Sequence, residues 1–264
     1  MRDTTGPIGI FDSGLGGLTV VRALIDLLPG QDLLYFGDTG RFPYGPKPAD
    51  ELLKYSIQIS DFLLERGASM IVVACNSATA AALEILQDRY DVPVVGVIDP
   101  GVRAATKATR TGRVGVIGTV GTVRSGAYQR SAARLAPDLD LVCAACPGFV
   151  EFVEAGEVDS DQAYVLAERL LAPVRDAAVD TLVLGCTHYP MLARTIADVM
   201  GRDVVLVSSA EETAFEVRGL LGNPAAVGAG ATHTFVTSGD VEVFRTLGAR
   251  FCGPEVEAVE RWVW

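Results

Sequence analysis

Two apolar runs in this chain each end at a cysteine, which small polar residues and then a helical pattern follow. The first run leads to Cys75 and the second to Cys186, 111 positions later. A short apolar run of this kind predicts a buried parallel strand, and Asn76 and Ser77 are suited to cap the helix that begins there. A thiol at a helix N-terminus lies at the positive end of the helix dipole, which favours the thiolate. The pattern predicts two similarly placed, activated cysteines.

The spacing between repeated features predicts an internal duplication. Residues 114–119 resemble residues 8–12, and Gly9 and Gly115 are 106 positions apart, close to the spacing of the cysteines. Each half alternates strand and helix patterns, which predicts a βαβαβαβ unit with a parallel sheet. We therefore predict an α/β fold of two pseudo-symmetric domains that face each other across a cleft. The predicted limits are 1–98 plus 208–264 for the first domain and 99–207 for the second, with the tail packed on the first half.

Hydrophobic periodicity places the individual elements. Besides the runs before the two cysteines, strands are predicted at residues 7–12, 32–37, 92–98, 114–119, 139–144, 204–207 and 232–237. Besides the helices after the cysteines, helices are predicted at residues 18–28, 49–66, 123–136, 160–178, 211–221 and 241–251. Residues 146–154 predict a compact loop or helical turn. Residues 38–46 predict a long aromatic and proline-rich loop, a composition typical of binding loops.

Composition excludes several classes of protein. The 264 residues carry 22 basic and 33 acidic side chains, a net charge of −11 with no basic cluster, which argues against nucleic-acid binding. The N-terminal stretch lacks the pattern of a signal peptide, and no apolar run reaches the roughly 18 residues that a membrane helix requires. Five widely spread cysteines do not indicate a disulfide framework. We expect a cytoplasmic protein without nucleic-acid or membrane partners.

Polar residues follow the predicted strands at the edge where open parallel sheets bind ligands. Asp12, Cys75, Thr119 and Cys186 all occupy such positions. Two facing halves would bring these four side chains together. His188 beside Cys186 can share the proton of its thiol, and Asp12 can do the same near Cys75, as can Asp38 and Glu154 at the mouth of the site.

The glycine-rich turn at residues 14–17 suggests dinucleotide binding, but Thr19 occupies the position where the fingerprint requires a third glycine. A tight strand-to-helix turn is the simpler interpretation. No lysine has a glycine-rich phosphate cup nearby, as a pyridoxal phosphate site would need. We therefore expect no organic cofactor.

The remaining cysteines are better explained as structural. Cys143 and Cys146 form a C-x-x-C pair, yet the chain has no second such pair and only two histidines, so a zinc or redox site is not indicated. Cys143 falls inside an apolar strand, where cysteine acts as a small hydrophobe. Cys75 and Cys186 can also be buried structural cysteines, but their matching positions and polar flanks disfavour that alternative.

Two thiols on opposite faces of a substrate suggest one reaction. If one is a thiolate and the other a thiol, one removes a proton from carbon and the other returns a proton from the opposite side. The result is inversion of configuration. A cofactor-free racemase or epimerase is the natural interpretation.

With these residues in view, the sequence resembles the glutamate racemases of the aspartate/glutamate racemase superfamily from Ile8 to about Thr213. The motifs that carry the resemblance are Phe11 to Thr19, Gly37-Asp38-Thr39, Phe42-Pro43-Tyr44-Gly45, Ala74-Cys75-Asn76, Ile117-Gly118-Thr119, Cys146-Pro147, Phe152-Val153-Glu154 and Gly185 to Pro190. The resemblance implies interconversion of L- and D-glutamate without pyridoxal phosphate, which supplies D-glutamate for peptidoglycan. It also implies a homodimer.

The resemblance assigns roles by position. It implies that Cys75 deprotonates the D-isomer and Cys186 the L-isomer, assisted by Asp12 and His188, with Asp38 and Glu154 as outer helpers. The residues that it implies in substrate contact are Asp12, Ser13, Pro43, Tyr44, Gly45, Asn76, Ser77, Thr119, Thr122, Thr187 and His188.

Two positions depart from the family pattern, and other functions remain open. Ser77 replaces the usual threonine, which keeps the hydroxyl but loses a methyl group, and Gly148 replaces a bulkier residue. Racemisation of aspartate or another amino acid is a close alternative. A decarboxylase relative with a single cysteine is disfavoured because both cysteines are present. A non-catalytic amino-acid-binding protein would bind glutamate without inverting it.

Overall fold

The computed structural model of the protein describes residues 6–222 and 230–264. Its strands are β1 (Ile8–Asp12), β2 (Leu33–Gly37), β3 (Met70–Val73), β4 (Val94–Gly96), β5 (Arg113–Gly118), β6 (Asp140–Ala145), β7 (Thr181–Gly185), β8 (Val205–Val207), β9 (His233–Thr237) and β10 (Val259–Arg261). Its α-helices are α1 (Leu18–Leu27), α2 (Ala49–Glu65), α3 (Asn76–Arg89), α4 (Ile98–Ala108), α5 (Val120–Ser125), α6 (Ala127–Leu135), α7 (Phe149–Ala155), α8 (Asp161–Asp176), α9 (Ala193–Met200), α10 (Ala210–Leu220) and α11 (Val241–Cys252). Short 3-10 helices cover Thr39–Arg41 and Tyr189–Leu192.

The first sheet has six strands in the order β10-β9-β2-β1-β3-β4, and every described pair in it is parallel. Its central strands are buried along their whole length because helices cover both faces, which explains their continuous apolar sequences. The tail that is predicted to return to the first half lies here, since β9 pairs with β2 from Leu33↔His233 to Gly37↔Thr237. The edge strand β10 had no counterpart among the predicted elements.

The second sheet has four parallel strands in the order β6-β5-β7-β8. The first four strands of the chain have the equivalent order β2-β1-β3-β4. Cys75 follows β3 and Cys186 follows β7, the third strand of each set, so the two cysteines hold equivalent topological positions. The predicted α/β class with parallel sheets is confirmed.

Contacts divide the chain into two units, Met1–Val97 with Thr213–Trp264 and Ile98–Glu212. The domain limits predicted from the sequence are 1–98 with 208–264 for the first domain and 99–207 for the second. These limits remain a prediction. No helix in the described residues is both long enough and apolar enough to span a bilayer.

Three predicted elements are wrong in detail. The strand predicted at 92–98 ends at Gly96, and α4 begins at Ile98, because Pro100 is compatible with a first helical turn. The single helix predicted at 123–136 is two helices, α5 and α6, separated by Gly126 at φ 68°. The stretch at 146–154 contains the helix α7 rather than a single turn.

Candidate active site

Cys75 lies at the junction of β3 and α3. It is the N-cap residue of this 14-residue helix, and its carbonyl oxygen accepts a hydrogen bond from the backbone N–H of Thr79 at 2.8 Å. Asn76 and Ser77 are therefore the first two residues of the helix rather than its caps. All three side chains are almost fully buried. The thiol lies at the N-terminus of this 14-residue helix, the positive end of its dipole, which is a favourable place for a negative charge.

Asp12 and Ser13 approach Cys75 from the neighbouring strand. Asp12 ends β1 and is fully buried, and the backbone N–H of Gly14 donates to its Oδ2 at 3.0 Å. The Cys75 thiol donates to the Ser13 hydroxyl oxygen over 3.8 Å. The turn after Asp12 requires Gly17, because a Cβ there would lie 2.5 Å from the Asp12 Cβ. The turn glycines thus serve the packing of Asp12.

The aromatic loop, residues 38–46, begins at Asp38 after β2. The Asp38 carboxylate is fully buried and accepts hydrogen bonds from Arg41 Nε at 2.7 Å and from the Tyr44 hydroxyl. Tyr44 is buried, whereas Pro43 and Gly45 are partly exposed. Burial first, and then the charge of Asp38, raise the pKa of Tyr44 far above its usual value, so its hydroxyl remains a hydrogen-bond donor.

Cys186 follows β7 but leads into a different structure. It is also buried, and its carbonyl oxygen accepts from the N–H of Tyr189 at 3.1 Å, at the start of the four-residue 3-10 helix Tyr189–Leu192. Pro190 lies in the first turn of that helix. His188 is the N-cap residue and is 2% exposed. Its Nε2 lies 2.7 Å from Glu154 Oε1, an ion pair when the imidazole is protonated.

Glu154 reaches His188 from α7, and two glycines set that helix. Gly148 and Gly156 flank α7 as N-cap and C-cap with φ of 95° and 76°, a region that disfavours side chains. A Cβ on Gly148 would also lie 2.9 Å from Leu166 Cδ2. The backbone thus accounts for glycine at position 148.

The threonines of this unit lie after the neighbouring strand β5. Thr119 is the N-cap residue of α5, and its Oγ1 accepts from the N–H of Thr122 at 3.3 Å. The two hydroxyl oxygens are 3.0 Å apart. Thr187, between Cys186 and His188, is 7% exposed. Small hydroxyl groups therefore line the carboxyl edge of this sheet near the thiol.

The structure brings the predicted residues together in two sets, each at the carboxyl edge of one sheet. We call Asp12, Ser13, Asp38, Tyr44, Cys75, Asn76 and Ser77 the Cys75 half-site, with Pro43 and Gly45 on its loop. We call Thr119, Thr122, Glu154, Cys186, Thr187 and His188 the Cys186 half-site. The sequence did not point to Ser238 and Trp264, whose side chains contact Asp38. Both are remote in sequence, and no local pattern marks them.

The other three cysteines are Cys143, Cys146 and Cys252. All five are free thiols, so the C-x-x-C pair forms no disulfide. Burial raises the pKa of Cys143 to about 11, and burial above all raises that of Cys146 and of Cys252 to about 12. Within the described residues, no group of three His, Cys, Asp or Glu side chains is arranged to hold a metal ion.

Comparisons with known proteins identify the family. The Asp/Glu/Hydantoin racemase family matches residues 19–216. The glutamate racemase of Acidothermus cellulolyticus is 52% identical over 256 residues, which cover 95% of this chain and 96% of the relative.

Solved structures give the same result. Glutamate racemase isoform RacE1 from Bacillus anthracis superposes with a TM-score of 0.91 at 38% identity, covering 99% of this chain and 98% of that one. Glutamate racemase from Francisella tularensis in complex with D-glutamate superposes with a TM-score of 0.90 at 32% identity, covering 98% of both chains. The relatives named here are glutamate racemases. The chain belongs to the Asp/Glu/hydantoin racemase family and is an isomerase of the racemase type.

Proposed function

We propose that the protein is a cofactor-independent glutamate racemase in which Cys75 and Cys186 are the two acid/base groups. One observation carries this proposal. Each of two parallel sheets with equivalent strand order presents a buried cysteine after its third strand, beside a carboxylate or an imidazole. A reaction that needs a proton removed on one face and delivered on the other requires two such groups.

The proposed step balances in protons and charge. The thiolate of one cysteine takes the α-proton, so the Cα–H bond breaks and an S–H bond forms. The thiol of the other cysteine gives its proton to the opposite face of the α-carbon and becomes the thiolate. We assign Cys75 to the D-isomer and Cys186 to the L-isomer, as the resemblance implies. This assignment requires the two half-sites to face each other across the substrate, which is part of the proposal.

Glutamate carries two carboxylates and one ammonium group and is therefore a net anion, whereas the protein carries a net charge of −11. We propose that backbone N–H groups and neutral side chains hold the carboxylates. Asn76 and Ser77 lie in the first turn of α3, where the backbone N–H groups point beyond the N-terminus of the helix. Thr119 is the N-cap residue of α5, and its hydroxyl group is a further proposed contact. The proposed set of substrate contacts also includes three hydroxyl residues and three loop residues: Ser13, Thr122, Thr187, Pro43, Tyr44 and Gly45.

The assisting groups differ between the half-sites. We propose that Asp12 assists Cys75 and that His188, held by Glu154, assists Cys186. Asp38 is enclosed by hydrogen-bond donors, and we propose that it acts by holding Tyr44 and the aromatic loop. We propose that the enzyme supplies D-glutamate for peptidoglycan. We also propose that it acts in the cytoplasm as a homodimer.

The test follows α-proton exchange and optical activity in deuterated water, with purified protein and no added cofactor. We expect D-glutamate to lose its circular-dichroism signal completely, because enantiomers have equal free energy, and the product to carry deuterium at Cα. Cys75→Ala and Cys186→Ala should each abolish racemisation. Cys143→Ala, at a half-buried cysteine in β6, is the matched control and should remain active. Full activity without either Cys75 or Cys186 would refute the mechanism.

Side-by-side kinetics with aspartate test the substrate assignment. We expect glutamate to be converted with the higher kcat/KM, and a preference for aspartate would overturn the assignment. Calorimetric binding of glutamate without loss of optical activity would instead identify a binding protein without catalysis.

A further inference from the structure

The buried carboxylate of Asp38 accepts hydrogen bonds both from the aromatic loop and from two residues that are 200 and 226 positions away in the chain. Its Oδ2 accepts from Arg41 Nε and from the Tyr44 hydroxyl, both within the loop. Its Oδ1 accepts from the Ser238 hydroxyl at 2.6 Å and from Trp264 Nε1 at 3.2 Å. Four donors surround this carboxylate, so it connects the loop to residues beyond β9 and β10.

Trp264 also makes ring contacts in the same region. Its ring lies 3.8 Å from the Arg41 guanidinium carbon and 5.3 Å from the Phe36 ring. A second ring near Arg41 is that of Tyr55, whose centroid is 4.0 Å from the same guanidinium carbon. Arg41 therefore contacts two aromatic rings, and such contacts strengthen when the cation is shielded from water.

The sheet fixes the position of Trp264. β10 pairs with β9 in parallel, and the backbone N–H of Trp262 donates to the Thr237 carbonyl oxygen at 2.8 Å. The Trp262 ring packs on Phe62 at a centroid distance of 4.6 Å, and the two tryptophan rings are 6.2 Å apart. Trp264 is 44% exposed, so its ring is not a buried core residue. Its contacts with Asp38 and Arg41 are contacts with the aromatic loop.

We propose that Trp264 is a positioning residue for catalysis: through Asp38 and Arg41 it holds the aromatic loop in the conformation that presents Tyr44 and Gly45 to the amino-acid substrate. This inference rests on the proposed function, in which Tyr44 and Gly45 contact the substrate. Ser238 acts on the same carboxylate from the end of β9 and cooperates with Trp264.

The expected kinetic effect is on KM rather than on kcat. If the loop loses its anchor, only a fraction of the free enzyme has the binding-competent loop, and the apparent affinity falls by that fraction. Once substrate is bound, the loop is ordered again and the chemical step is unchanged. A role confined to stability would lower the melting temperature and leave the KM of the folded enzyme as it was.

The test combines kinetics with hydrogen–deuterium exchange on four variants of the full chain. Trp264→Ala removes the ring and the N–H donor, Trp264→Phe keeps a ring over Arg41, and Ser238→Ala removes the second donor. Val263→Ala is the matched control, since Val263 is the adjacent residue and is 74% exposed.

We expect Trp264→Ala to raise KM for glutamate about tenfold with less than about a threefold change in kcat, from the lost ring and hydrogen-bond contacts. Trp264→Phe and Ser238→Ala should give smaller increases, and Val263→Ala none. Amide exchange in residues 38–46 should accelerate in the same order. Unchanged KM and unchanged loop exchange in Trp264→Ala would overturn the inference, as would an equal effect of Val263→Ala.

The two proposals fail in different ways. Exchange in the loop is measured without substrate, so it tests the anchor even if glutamate is not the substrate. If the wild-type enzyme does not racemise glutamate, the proposed function fails while the exchange result stands. If wild-type activity depends on both cysteines but Trp264→Ala is kinetically normal, the positioning role fails alone.

Discussion

The Cys75 and Cys186 half-sites have equivalent topological positions but different surroundings. Cys75 is the N-cap of a 14-residue α-helix. Asp12 is the last residue of the neighbouring strand β1 and is fully buried. Cys186 precedes a four-residue 3-10 helix, and its neighbour His188 is paired with Glu154 at 2.7 Å. A long helix offers a thiolate a larger dipole than a single 3-10 turn does. In the proposed mechanism the N–H groups at the start of α3 assist Cys75, whereas the imidazole of His188 assists Cys186.

The difference also concerns how each partner is held. Asp12 is fixed by its own strand and by the N–H of Gly14. His188 is held by Glu154 of α7, a seven-residue helix with a glycine at each end. The Cys186 half-site therefore depends on a longer series of contacts. We expect a substitution in it to disturb more of these contacts than a substitution in the Cys75 half-site does.

After loss of either cysteine, the largest expected effect comes from removing the assisting group in each half-site. We expect His188→Asn to lower kcat by roughly a thousandfold and Asp12→Asn by roughly a hundredfold, within the usual range for acid–base assistance. The reason for the order is the helix dipole, which remains at Cys75 but is small at Cys186. The measurement is circular dichroism from each enantiomer, with kcat and KM determined separately.

His233→Asn is the control for this pair, since His233 is the other of the two histidines and lies in β9. Because enantiomers have equal free energy, kcat/KM must fall equally in both directions for every variant. A larger loss in Asp12→Asn than in His188→Asn would reverse our view of the two half-sites.

Alkylation at pH 8 separates the proposed catalytic thiols from the structural thiols. Burial raises the pKa of Cys143 to about 11, and burial above all raises that of Cys146 and Cys252 to about 12, so the thiol form dominates at pH 8. We expect these three to react with iodoacetamide roughly tenfold to a hundredfold more slowly than Cys75 and Cys186, after allowing for the greater intrinsic nucleophilicity of a high-pKa thiolate. Mass spectrometry of timed digests gives each rate.

D-glutamate should protect Cys75 and Cys186 and leave the other three rates unchanged. In denaturant all five cysteines should react at similar rates, which controls for differences in detection. If Cys146 were labelled as fast as Cys186 in the folded protein, the two half-site cysteines would not be more reactive than the structural ones.

The indirect partner in the Cys186 half-site should give a smaller effect. Glu154→Gln keeps an oxygen that can accept from His188 but removes the charge, so we expect kcat to fall about tenfold. Glu151→Gln is the control because Glu151 is on the same helix and is exposed. A loss equal to that of His188→Asn would mean that Glu154 contacts the substrate or a reacting proton directly.

The parts of this comparison that were predictable from sequence are local. An apolar run, a cysteine and a helical pattern are contiguous, so the positions after β3 and β7 followed from periodicity. The spacing of the repeats likewise predicted two similar parallel sheets. The elements that were wrong contain glycine or proline. Pro100 and Gly101 lie inside the first turns of α4, and Gly126 breaks a helix that periodicity alone would continue.

The contacts that were not predictable join residues far apart in the chain. Trp264 lies 226 positions from Asp38, and Glu154 lies 34 positions from His188. The sequence indicated Glu154 as a group at the mouth of the site but not its pairing with His188, and nothing indicated Trp264. Such pairs depend on strand order, which the periodicity of single segments does not specify.

The smallest expected effect is at the position where the Cys75 half-site departs from its family pattern. Ser77 is the second residue of α3 and is 5% exposed. Ser77→Thr keeps the hydroxyl and adds one methyl group, and the family pattern has threonine here, so we expect KM to change by less than about threefold. Ser77→Ala removes the hydroxyl and should raise KM about tenfold if that group holds a substrate carboxylate. Both variants should melt near the wild-type temperature. Equal KM values in Ser77→Ala and the wild type would exclude the hydroxyl from the binding set and leave the backbone N–H groups of α3 as the carboxylate site.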